Sequence, residues 1–82
     1  MAAWPAEYLR DRGVHLARLA VAHAANQEPE QACGAARQAL TIATSTGSGR
    51  ATAELRRLPG QLSAWRGLPA VADLREALAY LP

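Results

Sequence analysis

Leu16-Ala17-Arg18-Leu19-Ala20-Val21-Ala22-His23 and, past a break at Asn26-Gln27-Glu28-Pro29, Ala32-Cys33-Gly34-Ala35-Ala36-Arg37-Gln38-Ala39-Leu40 are the stretches that decide the fold. Apolar and small residues recur in both at steps of three and four, the spacing of one face of an α-helix. In the first segment Leu9, Gly13, Leu16, Ala20 and His23 share one face, while Val14, Ala17, Val21 and Ala24 share a second. A helix that is apolar on two sides is packed between two neighbours. The pattern predicts a helix over about residues 5–26, opened by Pro5, whose missing N–H costs nothing in a first turn. Gly13 is expected to weaken this helix by about 1 kcal/mol relative to alanine.

Working outward, Pro29 suits the first turn of a second helix, and Glu28 and Glu30 suit its positive N-terminal end. Its inner face reads Ala32, Ala36, Ala39, Leu40 and Ala43, and it is expected to end near residue 43. Residues 44–49 read as a polar loop, with Gly47 as a C-terminal stop and Ser48 as the cap of the next helix. Ala51, Leu55, Leu58, Leu62 and Trp65 then continue a helical stripe through Pro59-Gly60. An interior proline costs a helix roughly 3 kcal/mol. The unbroken register predicts one helix over about residues 48–66, kinked near Leu58; the alternative is two short helices with a turn between them. Past Gly67-Leu68-Pro69, the residues Val71, Leu74, Leu78 and Leu81 mark a last helix over about residues 69–80. The expectation is an all-α fold of two antiparallel helical hairpins in one domain spanning residues 1–82. No segment shows the alternation of a surface strand.

Composition agrees. The 82 residues are half hydrophobic, largely through alanine, and contain no phenylalanine. Alanine is the strongest helix former and has little volume, so helix axes can approach closely. All nine basic residues are arginine, and the seven acids lie among them for a net charge of +2. Glu54 beside Arg56 and Arg57 is such a mixture, which reads as a solvated, ion-paired surface. Cys33 alone forms no internal disulfide and fits a reducing, cytoplasmic setting. No run is long and apolar enough to span a membrane, and the N-terminus does not read as a secretory signal.

The spacing over residues 10–43 resembles a tetratricopeptide-repeat unit. Leu16, Leu19 and Ala20 match its first helix, and Ala32, Ala36, Ala39 and Leu40 its second. His23 stands where that family places a tyrosine, and Ala36 where a larger aromatic is common. Residues 48–80 would be a degenerate terminal repeat. More narrowly, the run from Arg10 to Ala20, together with Thr46-Gly47-Ser48-Gly49-Arg50, Glu54-Leu55-Arg56-Arg57-Leu58 and Trp65-Arg66-Gly67-Leu68-Pro69-Ala70-Val71, is similar to the C-terminal sensor region of actinobacterial helix-turn-helix transcriptional regulators. The resemblance implies a tetratricopeptide-like helical stack that binds a protein, peptide or small ligand and controls a separate DNA-binding domain. No such DNA-binding domain is recognisable in these residues.

Side-chain chemistry points the same way. His15 and His23 are separated by roughly 80° around a helix, whereas a shared metal wants ligands three or four apart. His23 is expected in the core, bonded to a carbonyl or water. Cys33, early in its helix, could have a slightly lowered pKa, but no base stands near it in sequence. No phosphate-binding glycine loop, acid pair or metal-ligand cluster is present, so no enzyme, catalytic residue, metal or cofactor is expected. The second apolar stripe on the first helix calls for cover from another repeat or another chain, so a homo-oligomer or a heteromeric complex is expected. Arg10, Val14, His15 and Arg18 become candidate partner-binding residues. Arg56 and Arg57 join them, because arginine forks pair well with carboxylates. Alternatives are a small DNA-binding accessory factor acting through the arginines around residues 50–66, and a structural oligomerisation domain. The dispersed charge argues against direct nucleic-acid binding.

Overall fold

The computed structural model describes residues 5–81. Trp4, which could be read as a staple for the first helix or a partner contact, lies outside them. Five α-helices and one 3-10 turn follow in order: α1 Ala6–Ala25, α2 Pro29–Thr46, α3 Gly49–Leu55, α4 Leu58–Gln61, the 3-10 turn Ser63–Trp65, and α5 Pro69–Ala79. The fold is all-α, with no strand among the described residues.

α1 and α2 form an antiparallel pair. Arg10, near the start of α1, donates from Nη2 to the carbonyl of Thr46 at the end of α2, at 3.4 Å. The connection between them is a Schellman turn. The N–H of Gln27 bonds the Ala24 carbonyl at 3.1 Å and that of Glu28 bonds the His23 carbonyl at 2.9 Å. Gln27 takes the left-handed conformation this requires, at φ 61°, where glycine is the usual residue. Ala17, Ala20, Ala32, Ala36 and Ala39 are fully buried. Gly13 is buried as well, and a Cβ there would stand 2.9 Å from Ile42 Cγ2. The glycine expected only to weaken α1 therefore permits a close approach.

α2 runs three residues past its expected end. Thr44 Oγ1 donates to Leu40 O at 2.8 Å, and Ser45 Oγ and Thr46 Oγ1 both donate to Ile42 O. These hydroxyls bond their own helix instead of competing with it. Gly47 stops the helix at φ 68°, with its N–H on Ala43 O at 2.8 Å. Ser48 caps α3, its side chain accepting from the Ala51 N–H at 3.3 Å.

The second half departs from the single kinked helix. Pro59 cannot donate to the Leu55 carbonyl, so the ladder breaks, and the Arg57 N–H bonds Glu54 O in a tighter turn. Three short pieces replace one helix. Arg56 and Arg57 nevertheless keep right-handed helical dihedrals. The stripe thus holds its register, and Ala51, Leu55, Leu58 and Leu62 are all fully buried. The three leucines, with Val71 and Leu74, form the bulky part of the core, each such side chain contributing about 1.5–3 kcal/mol.

α1 packs between α2 on one side and α3 and α4 on the other, and α5 lies against α2 and α4. Val14, Ala17 and Ala24 of the second stripe are buried inside this one chain. The cover, expected from another repeat or another chain, comes from α3 and α4. Leu19, one of the residues that carry the repeat resemblance, is 41% exposed, on the outward sector of α1 that carries Arg12, His15 and Ala22.

Candidate functional site

The six candidate partner-binding residues do not gather on one face. Val14 is buried in the core. His15 is exposed. Arg10, besides its bond to Thr46, lines a cleft of about 510 Å³ with Glu7, Asp11, Val14 and the loop at Gly47–Arg50. Arg18 and Arg57 converge on Glu54: Arg18 Nε lies 3.8 Å from Oε1, and Arg57 Nη1 lies 3.4 Å from Oε2. The first contact ties α1 to α3 and the second spans one turn. Both guanidinium groups are largely solvated, so each pair contributes about 0–1 kcal/mol.

Arg56 stands apart. Glu54 pairs with Arg57 at the i, i+3 spacing, whereas positions two apart do not face each other on a helix. The Arg56 side chain has no hydrogen-bond or ion-pair partner among the described residues. Its side chain borders an open groove of about 520 Å³ where α2, α3 and the end of α5 meet. Leu40 and Ala43 of α2 form one apolar wall, and Ala77 with Leu81 forms the other. Thr44, Thr52 and the strongly exposed Tyr80 add polar atoms. Its volume falls within the usual range of ligand-binding clefts. Gly47 and Gly49 also line it, and the space beside each is open, since a Cβ on either would meet nothing within 4 Å. No acidic side chain lines the groove among the described residues.

Apart from Arg56, sequence reasoning missed this groove. Its residues come from three separate segments, and no local spacing links Leu40 and Thr44 to Thr52 or to Tyr80. The one available signal was Tyr80, a large aromatic outside the helical stripe.

The remaining reactive groups are occupied structurally. His23 is half-buried rather than in the core, and its Nδ1 lies 2.9 Å from Glu28 Oε1 across the α1–α2 turn. Cys33 is buried, and burial pushes its thiol pKa up; Arg37 pulls the other way and Glu30 adds to the rise. The lowering expected from its place in the helix is outweighed. Among the described residues no three histidine, cysteine, aspartate or glutamate side chains cluster as a metal site, and no helix is long and apolar enough to cross a membrane. No protein-family model, curated protein or solved structure matches the chain.

Proposed function

We propose that this chain is a non-catalytic interaction module that binds a protein or peptide partner in the groove between α2, α3 and α5. In this reading it is the tetratricopeptide-like end of a transcriptional regulator, or a stand-alone relative of one. The observation that carries the binding role is the groove itself: apolar on two walls, open to solvent, and bordered by an arginine, with no acid among its described lining residues. Binding clefts combine mostly apolar lining with a few placed polar groups, and this groove has that composition. Burial of Val14, Ala17 and Ala24 inside the chain leaves the groove as the surface that supports this reading better than α1 does.

The test is to select peptides from a random library against the full chain and map their binding by backbone amide chemical shifts. The expected result is shifts concentrated at Leu40, Thr44, Thr52, Arg56 and Ala77. Failure to enrich any peptide, or shifts confined to the outer face of α1 around His15 and Leu19, would overturn the proposal.

A further inference from the structure

We infer that the occupant of this groove is a peptide segment whose apolar side chains flank an acidic one, with the carboxylate seated on Arg56. The inference rests on the binding role just proposed and names the chemistry of the partner. Three observations bear on it. First, the groove carries one formal charge, the Arg56 guanidinium, with no aspartate or glutamate among its described lining residues. A guanidinium left without an acid is matched by one carboxylate, through short charge-assisted hydrogen bonds. Second, Leu40, Ala43, Ala77 and Leu81 offer the partner apolar surface on both sides of the trough.

Third, the protons of the two threonine hydroxyls inside the groove are already committed, while the Tyr80 phenol on its lining stays exposed to solvent. Thr44 Oγ1 donates to Leu40 O at 2.8 Å and Thr52 Oγ1 donates to Ser48 O at 2.9 Å. Each oxygen keeps lone pairs and can only accept. The matching ligand groups are N–H donors. A peptide backbone supplies them at every residue, whereas a fatty acid or other simple amphipathic carboxylate has none. The open shape agrees, since a free acyl chain is better covered in an enclosed cavity than in a trough that leaves one side in water.

The experiment selects a random heptapeptide library, displayed on phage, in parallel against the full chain, Arg56→Gln and Arg57→Gln. Sodium decanoate is titrated separately against the full chain. Both substitutions fall on exposed positions; Arg57 carries a guanidinium of the same kind that is already paired with Glu54. The expected result is enrichment of peptides with aspartate or glutamate among apolar residues. Their synthetic copies should bind about 10-fold or more weakly to Arg56→Gln and unchanged to Arg57→Gln. Enriched peptides without acidic bias, or acidic ones indifferent to Arg56→Gln, would overturn this inference and leave the binding role standing. Decanoate shifting the groove amides at lower concentration than the peptides would also overturn it, in favour of an acyl carboxylate. A library that enriches nothing would overturn both the inference and the binding role.

Discussion

Replacing Gly13 by alanine separates two readings of the same residue. On helix propensity alone, Gly→Ala inside a helix gains about 1 kcal/mol. In the folded chain the new Cβ would stand 2.9 Å from Ile42 Cγ2, with Ile42 Cβ at 3.5 Å and Ala51 Cβ at 3.7 Å on the other side. Ile42 is β-branched and in a helix holds essentially one χ1 rotamer, so Cγ2 cannot swing away. Overpacking of this kind costs about 1–3 kcal/mol. Taking about 2 against the gain of about 1, Gly13→Ala is expected to destabilise the chain by about 1 kcal/mol. For a domain of this size that is a fall in Tm of about 4–8 °C. Ile42→Leu moves the branch from Cβ to Cγ and removes the offending atom, and by itself costs less than about 1.5 kcal/mol. In that background Gly13→Ala should stabilise by about 1 kcal/mol, a coupling of about 2 kcal/mol between the two sites. Urea denaturation followed by circular dichroism on all four proteins gives the cycle. A rise in stability from Gly13→Ala alone, or zero coupling, would show that α1 and α2 do not approach at Gly13.

Other expectations follow from local geometry. Gln27 holds a left-handed φ of 61° at the end of α1, so Gln27→Gly should raise stability by about 1 kcal/mol in the same denaturation assay; a loss would contradict the Schellman turn. Ser48→Ala removes the cap on the Ala51 N–H and should cost about 1 kcal/mol, whereas Ser48→Asp should retain most of it. Gln61 Oε1 is buried without a hydrogen-bond partner, so Gln61→Met should be neutral or stabilising by up to about 1 kcal/mol; a loss above 1 kcal/mol would mean that the oxygen is satisfied. Burial raises the Cys33 pKa in the folded chain. The folded state therefore holds the thiol proton more tightly than the unfolded one, and the associated stability is full below the ordinary thiol pKa of about 8.5 and is lost as pH rises through the folded value. Between pH 8 and 10 the wild type should lose more stability than Cys33→Ala, and its thiol should react with Ellman's reagent more slowly than a free cysteine does.

The helical class and most of the core could be read from spacing, because packing enforces the period of 3.6. Leu55, Leu58 and Leu62 are buried as the stripe predicted, although the helix carrying them is broken. The break left the pattern intact because Arg56 and Arg57 kept helical dihedrals. The stripe thus reports which side faces inward and says nothing about whether each N–H finds its carbonyl. The end of α2 was misplaced for a related reason: Thr44, Ser45 and Thr46 have the composition of a loop, and only their bonds to Leu40 and Ile42 show them to be helical. Leu19, which carries the repeat resemblance but belongs to neither apolar stripe, lies outside the sector facing α2 and α3. Arg56 was singled out from sequence together with Arg57, which turned out to be occupied; the difference lies in which of the two meets Glu54. The groove escaped because it exists only where three distant segments meet.

The placement of α1 between α2 and the short helices has a consequence for dissection. One surface of α1 rests on a seam of alanines, which contributes little buried area per residue, and the other faces the side where the bulky leucines gather. A fragment ending at Gly47 would keep the seam, lose Leu55, Leu58, Leu62, Val71 and Leu74, and leave Val14 and Ala17 uncovered. A fragment beginning at Ser48 would keep the leucines without the long helix they lean on. Neither piece is expected to fold alone, so the chain should melt in a single step, and the amides of α1 should exchange with solvent only as fast as the whole molecule opens.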